Sequence, residues 1–117
     1  MYCLRFDDST TRAQQRADDK LAPIRNIYDK CVVACKAKYT TGTGCTVDEY
    51  LHGFKRMYSF KQYIPIKPSK YGVKVYVLAD SKTLYLVSSN IYTGAGTHAP
   101  GLPVPTQAVL DLVSSVL

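Results

Sequence analysis

Two apolar runs separated by a short polar turn constrain the fold of this chain more than any other feature. Residues 73–78 are rich in β-branched and aromatic side chains, and residues 83–92 repeat that composition. Between them, residues 79–82 read Ala-Asp-Ser-Lys, a polar connection of the kind that joins paired strands. The pattern therefore predicts an antiparallel hairpin, with its turn over residues 79–82.

A further strand is predicted over residues 45–51, after the turn-forming Thr-Thr-Gly-Thr-Gly sequence of residues 40–44. A long irregular loop or bent extension over residues 52–70 separates this strand from the hairpin. Ile64 and Lys67 each precede a proline, which favours extended backbone at both positions. The central part of the chain is thus predicted to be a three-stranded antiparallel meander.

Helices are predicted on both sides of the strands. Apolar residues recur at spacings of three and four from Thr11 to about Lys38, and Pro23 interrupts the pattern, so we expect two helices there. Ser9 or Thr10 is the predicted N-cap of the first helix, and Thr106 that of a final apolar helix. That last helix reaches residue 117 without a stop signal, and we expect the chain to be incomplete. The pattern alone predicts an α+β or α/β fold.

The positive charge of the chain is concentrated in one stretch. The sequence has 15 basic and 9 acidic residues, and residues 50–79 contain six of the bases and no acid, so the rest is balanced at nine of each. This stretch also carries tyrosines and prolines, and we call it the basic stretch; its bases are Lys55, Arg56, Lys61, Lys67, Lys70 and Lys74. Such a segment favours contacts with a phosphate backbone, although a solvated loop face is the alternative.

Other features narrow the function classes. Arg5, Asp7 and Asp8 interrupt the first residues, so no signal peptide is predicted, and no apolar run has the roughly 20 residues of a membrane span. Four cysteines are too few for a disulfide scaffold and indicate a reducing compartment. Cys31 and Cys35 stand one helical turn apart and are interpreted as buried thiols in preference to metal ligands.

Four blocks of the sequence carry a family resemblance: LRFDD with DKLAPIR, TVDE, FKQYIPIKPSKYGVKVYVLADSKTLY, and IYTG. In this order and spacing they resemble the core of the piggyBac-type transposases and their domesticated derivatives. The resemblance implies a ribonuclease H-like fold, with residues 1–39 as a helical lead-in and residues 40–117 as the N-terminal half of the catalytic domain. It also implies cleavage of transposon ends by water, followed by strand transfer from the freed 3′ hydroxyl.

The resemblance assigns one catalytic residue within this chain. Family members hold two divalent ions, Mg²⁺ or Mn²⁺, with three aspartates, and TVDE places Asp48 at the first of them. Glu49 should point to the opposite face of the strand and so should not join Asp48 in ligation. Asp80 is expected to serve turn geometry, and Asp111 lies in a helix that does not match the second aspartate. One carboxylate cannot organise two hard cations, so this chain alone is expected to be inactive and to bind no metal stably.

The implied partners are DNA, as transposon ends and target, with self-association as a further expectation because an incomplete sheet leaves an open edge. No small-molecule substrate and no membrane contact are expected, and the resemblance implies a nuclear location, otherwise cytosolic.

After Phe54 the family usually has a basic-glycine-basic run, whereas this chain reads Lys55-Arg56-Met57. That departure supports an alternative hypothesis, a domesticated or decayed protein that only binds nucleic acid or protein. A third hypothesis for the function is a generic interaction module.

Overall fold

The computed structural model describes residues 8, 10–54, 58, 60–94 and 101–116. Seven elements follow one another along the chain, with two helices first, then four strands and a last helix. In order they are α1 (Arg12–Asp18), α2 (Ala22–Lys38), β1 (Cys45–Gly53), β2 (Gln62–Tyr63), β3 (Tyr71–Asp80), β4 (Leu86–Ile91) and α3 (Val104–Ser114).

The strands form one antiparallel sheet in which β3 is central. β1 pairs with β3 over its full length, from Cys45 opposite Asp80 to Gly53 opposite Gly72. β4 and the short β2 both pair with β3 on its other edge. The predicted three-stranded meander and the mixed α/β class are confirmed. β2, inside the stretch predicted to be an irregular loop, was not predicted, since two residues give no detectable pattern.

The sheet lies between α2 and α3. On one face, Ala108 and Leu112 of α3 form a buried cluster with Tyr76, Leu78 and Val87 of the strands. On the other face, the Tyr28 hydroxyl of α2 lies 2.7 Å from the Ser89 hydroxyl of β4. This order, an antiparallel meander followed by a helix on one face, is that of the opening half of a ribonuclease H-like fold. We call the α3 side the inner face and the α2 side the outer face.

The helix break near Pro23 is confirmed, but the predicted caps are wrong. α1 begins after Thr11 without a side-chain capping bond, and Thr10 donates instead to the Asp8 carboxylate; Ser9 lies outside the described residues. α3 begins at Val104, two residues before the predicted cap Thr106. A proline in the first turn explains the earlier start, because the amide that it lacks has no helical partner there.

The third strand begins at Leu86, three residues later than predicted, because the hairpin connection is longer than a tight turn. The Leu84 amide donates to the Asp80 carbonyl at 2.9 Å, and Leu84 itself has a left-handed backbone with φ 61°. The Asp80 carboxylate organises this connection. It accepts backbone N–H groups from Lys82 at 2.8 Å and Thr83 at 3.2 Å.

The same carboxylate also holds the segment that leads into β1. The Gly42 amide donates to Asp80 Oδ2 at 2.9 Å, and the Tyr39 hydroxyl donates to it at 3.1 Å. Asp80 is 3% exposed. The hydrogen bonds from Gly42, Lys82 and Thr83 favour the ionised form and lower the pKa of Asp80 to about 2. The expected turn role of Asp80 is therefore confirmed, and it extends to the entry of β1.

We predict that Asp80→Asn lowers the melting temperature at pH 7, since the amide places an NH₂ group against N–H donors. Because the pKa of Asp80 is below its ordinary value of 3.8, its stabilisation is present above that value and is lost as pH falls toward 2. Melting curves between pH 2 and 7 should show a weaker pH dependence in the variant. Asp111→Asn, in the exposed part of α3, is the matched control; equal effects of the two substitutions would contradict this role.

At the far end of β1 the chain needs glycine. A Cβ atom on Gly72 would lie 2.1 Å from the carbonyl oxygen of His52, which belongs to the paired strand. A Cβ atom on Gly53, opposite Gly72, would lie 2.7 Å from Ser69 Oγ. The two glycines thus let the β1 and β3 backbones and the loop before β3 approach closely.

We predict that Gly72→Ala destabilises the fold by about 2–3 kcal/mol, because backbone atoms cannot move aside as a flexible side chain can. Urea unfolding measures this change. Gly44→Ala is the matched control, since its Cβ would lie 3.5 Å from Ser81 Oγ, an ordinary contact. The control should stay within about 1 kcal/mol of the unaltered chain. A Gly72→Ala protein of unchanged stability would show that the strands separate at little cost.

Candidate metal and nucleic-acid site

Asp48 lies at the middle of β1 on the outer face of the sheet. Exposure alternates along the strand, with Leu51 buried on the inner face and Asp48, Tyr50 and His52 exposed. The Asp48 carboxylate accepts the backbone N–H of Glu49 at 2.8 Å. This strand position is the one for which the family resemblance implies a metal ligand, and its carboxylate is open to solvent.

Glu49 faces the other way, as the alternation predicted. Its carboxylate lies 3.1 Å from Lys74 Nζ on β3, and the Lys74 side chain is 18% exposed. The Lys74 ammonium also lies 5.0 Å from the ring centroid of Tyr76 and 5.8 Å from that of Tyr92. Lys74 is therefore part of the packing of the inner face, separated by the sheet from Asp48.

Within the described residues, no group of three or more histidine, cysteine, aspartate or glutamate side chains is arranged to hold a metal ion. Mg²⁺ and Mn²⁺ prefer several oxygen ligands, and here Asp48 would contribute one carboxylate. The described residues do not fit a complete two-metal site.

Cys31 is exposed, which corrects its interpretation as a buried thiol, while Cys35 is half-buried.

The other lysines of the basic stretch lie around β2 and the loop that precedes β3. Lys67 Nζ donates to the Glu49 carbonyl at 3.4 Å, so this loop reaches β1. Lys61 Nζ lies 5.1 Å from the ring centroid of Tyr71, and Lys70 is exposed. Lys55 and Arg56 lie outside the described residues. The structure thus places Lys61 and Lys70 at one end of the sheet, the Lys67 ammonium beside Glu49 near the middle of β1, and Lys74 on the inner face.

A cleft opens at this end, which we call the terminal cleft. Its volume is about 600 Å³, and its lining residues are Gly53, Phe54, Pro68, Ser69, Lys70 and Tyr71. The Phe54 amide donates to the Tyr71 carbonyl at 3.3 Å, which brings the two aromatic residues together at the end of β1. Both side chains are well exposed, Phe54 at 42% and Tyr71 at 52%. Sequence reasoning missed this cleft, although Phe54 and Tyr71 each flank a predicted strand.

The remaining acids that the sequence singled out are accounted for within the fold. The Asp80 carboxylate accepts hydrogen bonds from the hairpin connection and from the segment that leads into β1. Asp111 is exposed on α3, where it accepts the Gln107 side-chain amide at 2.8 Å. His98 lies outside the described residues.

The meander with an exposed aspartate at the centre of its first strand, and a helix packed on the opposite face, has the form of part of a transposase catalytic domain. The chain belongs to the DDE-type family described as Transposase IS4, whose model matches residues 1–117. Transposases of this family generally depend on divalent metal ions.

A solved structure strengthens the assignment. The chain is similar to piggyBac transposase in a cryo-EM structure of its synaptic complex with hairpin DNA, at 40% identity and a TM-score of 0.91. The match covers 97% of this chain and 24% of that one, so the chain spans about a quarter of the length of the matched protein. The resemblance to piggyBac-type transposases is thereby confirmed. In the described part of the chain, no helix combines the length and apolarity needed to cross a membrane.

Proposed function

We propose that this chain supplies the first metal-binding carboxylate and a DNA-contacting surface to the catalytic domain of a piggyBac-type transposase. The observation that carries the proposal is the position of Asp48, exposed at the centre of β1 in a chain of this family. In the complete protein Asp48 would bind Mg²⁺ or Mn²⁺ together with ligands from elsewhere. The reaction would be hydrolysis at transposon ends, then strand transfer by the 3′ hydroxyl.

The domain division follows the same reasoning. Residues 1–39 would form a helical lead-in, and residues 40–117 the N-terminal half of the catalytic domain. The contact between Tyr28 and Ser89 supports a lead-in that is docked on the sheet. Among the described strands β1 pairs on one edge only, which supports self-association or further strand pairing through its open edge. A nuclear location is part of the proposal, because chromosomal DNA would be the substrate.

DNA contact is assigned mainly to the loop lysines. Lys61 and Lys70 lie at one end of the sheet and Lys67 reaches the middle of β1, and the stretch that carries them contains no acid, which supports a locally positive surface. Lys74 has Glu49 as an ionic partner and its side chain is 18% exposed, so it is not assigned to DNA contact. Lysine ammonium groups would bind phosphates without reading base sequence. The surface would therefore give salt-dependent affinity with little sequence preference.

The lysine assignment predicts a specific loss of duplex binding. Changing Lys61, Lys67 and Lys70 together to glutamine should weaken affinity for a fixed duplex roughly 10-fold or more in 50 mM salt, and should flatten its salt dependence. Fluorescence anisotropy measures both quantities. The matched control changes Lys30, Lys36 and Lys38 on α2 to glutamine, which removes the same charge. If both triple variants lose affinity equally, net charge and not this surface binds DNA.

Asp48 is predicted to be necessary but not sufficient for chemistry. The isolated chain should not nick supercoiled DNA with Mg²⁺ or Mn²⁺, because one carboxylate does not complete a site. In the complete transposase, Asp48→Asn should lower cleavage by at least about 100-fold, because losing a direct metal ligand should cost more than the roughly 10- to 100-fold lost when an outer-shell partner is changed, and it should leave DNA affinity unchanged. Asp111→Asn is the matched control. Metal-dependent nicking by the isolated chain, or a fully active Asp48→Asn transposase, would contradict the assignment.

A further inference from the structure

The terminal cleft has a shape and a lining that no phosphate contact explains. Its volume of about 600 Å³ falls within the roughly 300–1,000 Å³ of ligand-binding clefts. Backbone at Gly53 forms part of its lining, since a glycine has no side chain to occupy the space. Phe54 and Tyr71 both line the cleft and are 42% and 52% exposed, so two neighbouring aromatic surfaces are available to a partner.

The rings are held in place and not simply exposed. Tyr71 packs against Tyr63 with ring centroids 4.8 Å apart, and Phe54 packs against Tyr58 at 5.3 Å. These neighbours fix the orientation of each ring, so little side-chain entropy would be lost on binding. A planar, apolar ligand ring would therefore meet an already formed aromatic surface.

Charge defines what kind of ring the cleft would accept. Lys70 lines the cleft, and the Lys61 ammonium lies 5.1 Å from the Tyr71 ring centroid, over one face of the ring, so cations stand at the aromatic surface. No acid occurs between residues 50 and 79. A flat ring attached to a negative charge is the ligand class that matches both properties, and a nucleotide has this chemistry. In a paired duplex the base faces are stacked on one another and could not reach Phe54 or Tyr71.

We infer that the terminal cleft binds an unpaired nucleotide of DNA, with its base against Phe54 or Tyr71 and its phosphate near Lys70. This inference rests on the proposed DNA-binding function and adds a substrate feature to it. Tyr71 lies six residues from Val77, the partner of Asp48 on β3, and an even separation places it on the outer face with Asp48. The two sites would be about 20 Å apart along the strand. The unpaired nucleotide would therefore bind the same face as the duplex region that is cut.

Three DNAs with equal numbers of phosphates test the inference on the chain as it exists. One is a fully paired duplex, one carries a single bulged 2-aminopurine, and one carries 2-aminopurine in a 3′ single-stranded overhang. We expect the unpaired substrates to bind about 5- to 100-fold more tightly than the duplex, with 2-aminopurine fluorescence quenched by stacking. Preference for the bulge would identify an extrahelical base as the source, and preference for the overhang a strand end.

Variants separate the cleft from the lysine surface. Phe54→Leu and Tyr71→Leu together should abolish the preference and the quenching while leaving duplex affinity unchanged. Tyr71→Phe should keep both, and Tyr50→Leu, an exposed aromatic outside the cleft, is the matched control. Because a folding defect would lower all affinities, duplex binding serves as the internal standard for each variant.

Two results would overturn the inference. Equal affinity for paired and unpaired DNA would show that the cleft does not bind an unpaired nucleotide. Fluorescence quenching that persists after both cleft substitutions would show that the base binds elsewhere. In either case, lysine-dependent duplex binding would leave the proposed function standing. If the chain bound no DNA at all, the proposed function would fail as well.

Discussion

The hydrogen bonds to the Asp80 carboxylate set the geometry on which the rest of the sheet depends. Gly42 lies just before β1, and Lys82 and Thr83 lie in the hairpin after β3, so one side chain joins both segments. A backbone bond from Ser81 to the Gly44 carbonyl, at 3.0 Å, adds to the same connection. Together they fix where β1 begins relative to β3. A carboxylate suits this role, because it offers several lone-pair sites for N–H groups that turns leave unpaired.

The position of the candidate catalytic residue follows from this register. Side chains of a strand alternate between faces, so a slip of one residue would turn Asp48 inward and bring Glu49 outward. The hydrogen bonds of Asp80 hold the register of β1 against β3 at the Cys45 end. The close approach of Gly72 to His52 holds it at the other end. β1 is thereby held at both ends. The exposed carboxylate is a consequence of contacts that lie several residues away from it.

The sequence predicted the parts of this structure that depend on local pattern. The strand containing Asp48, its alternation, the hairpin and the helix break at Pro23 are local signals, and the structure confirms them. The bond between Gly42 and Asp80 joins residues far apart in the chain, and no periodicity reveals it. The late start of β4 follows from that carboxylate, because its turn bonds hold Thr83 outside the strand. The predicted cap Thr106 was wrong because a proline in the first turn allows α3 to begin at Val104.

The cations of the basic stretch lie in different structural environments. A count of charges cannot distinguish its six cations. The alternation of side chains along β3, however, places Lys74 on the same face as Tyr76 and Leu78. Pairing with Glu49 then makes Lys74 a contributor to the sheet, whereas Lys70 of the loop is exposed. The cation that forms an ion pair across the strands is thus a different residue from the loop lysines proposed to bind DNA. A chain organised in this way can change its loop lysines, and with them its affinity for DNA, without disturbing the register that exposes Asp48.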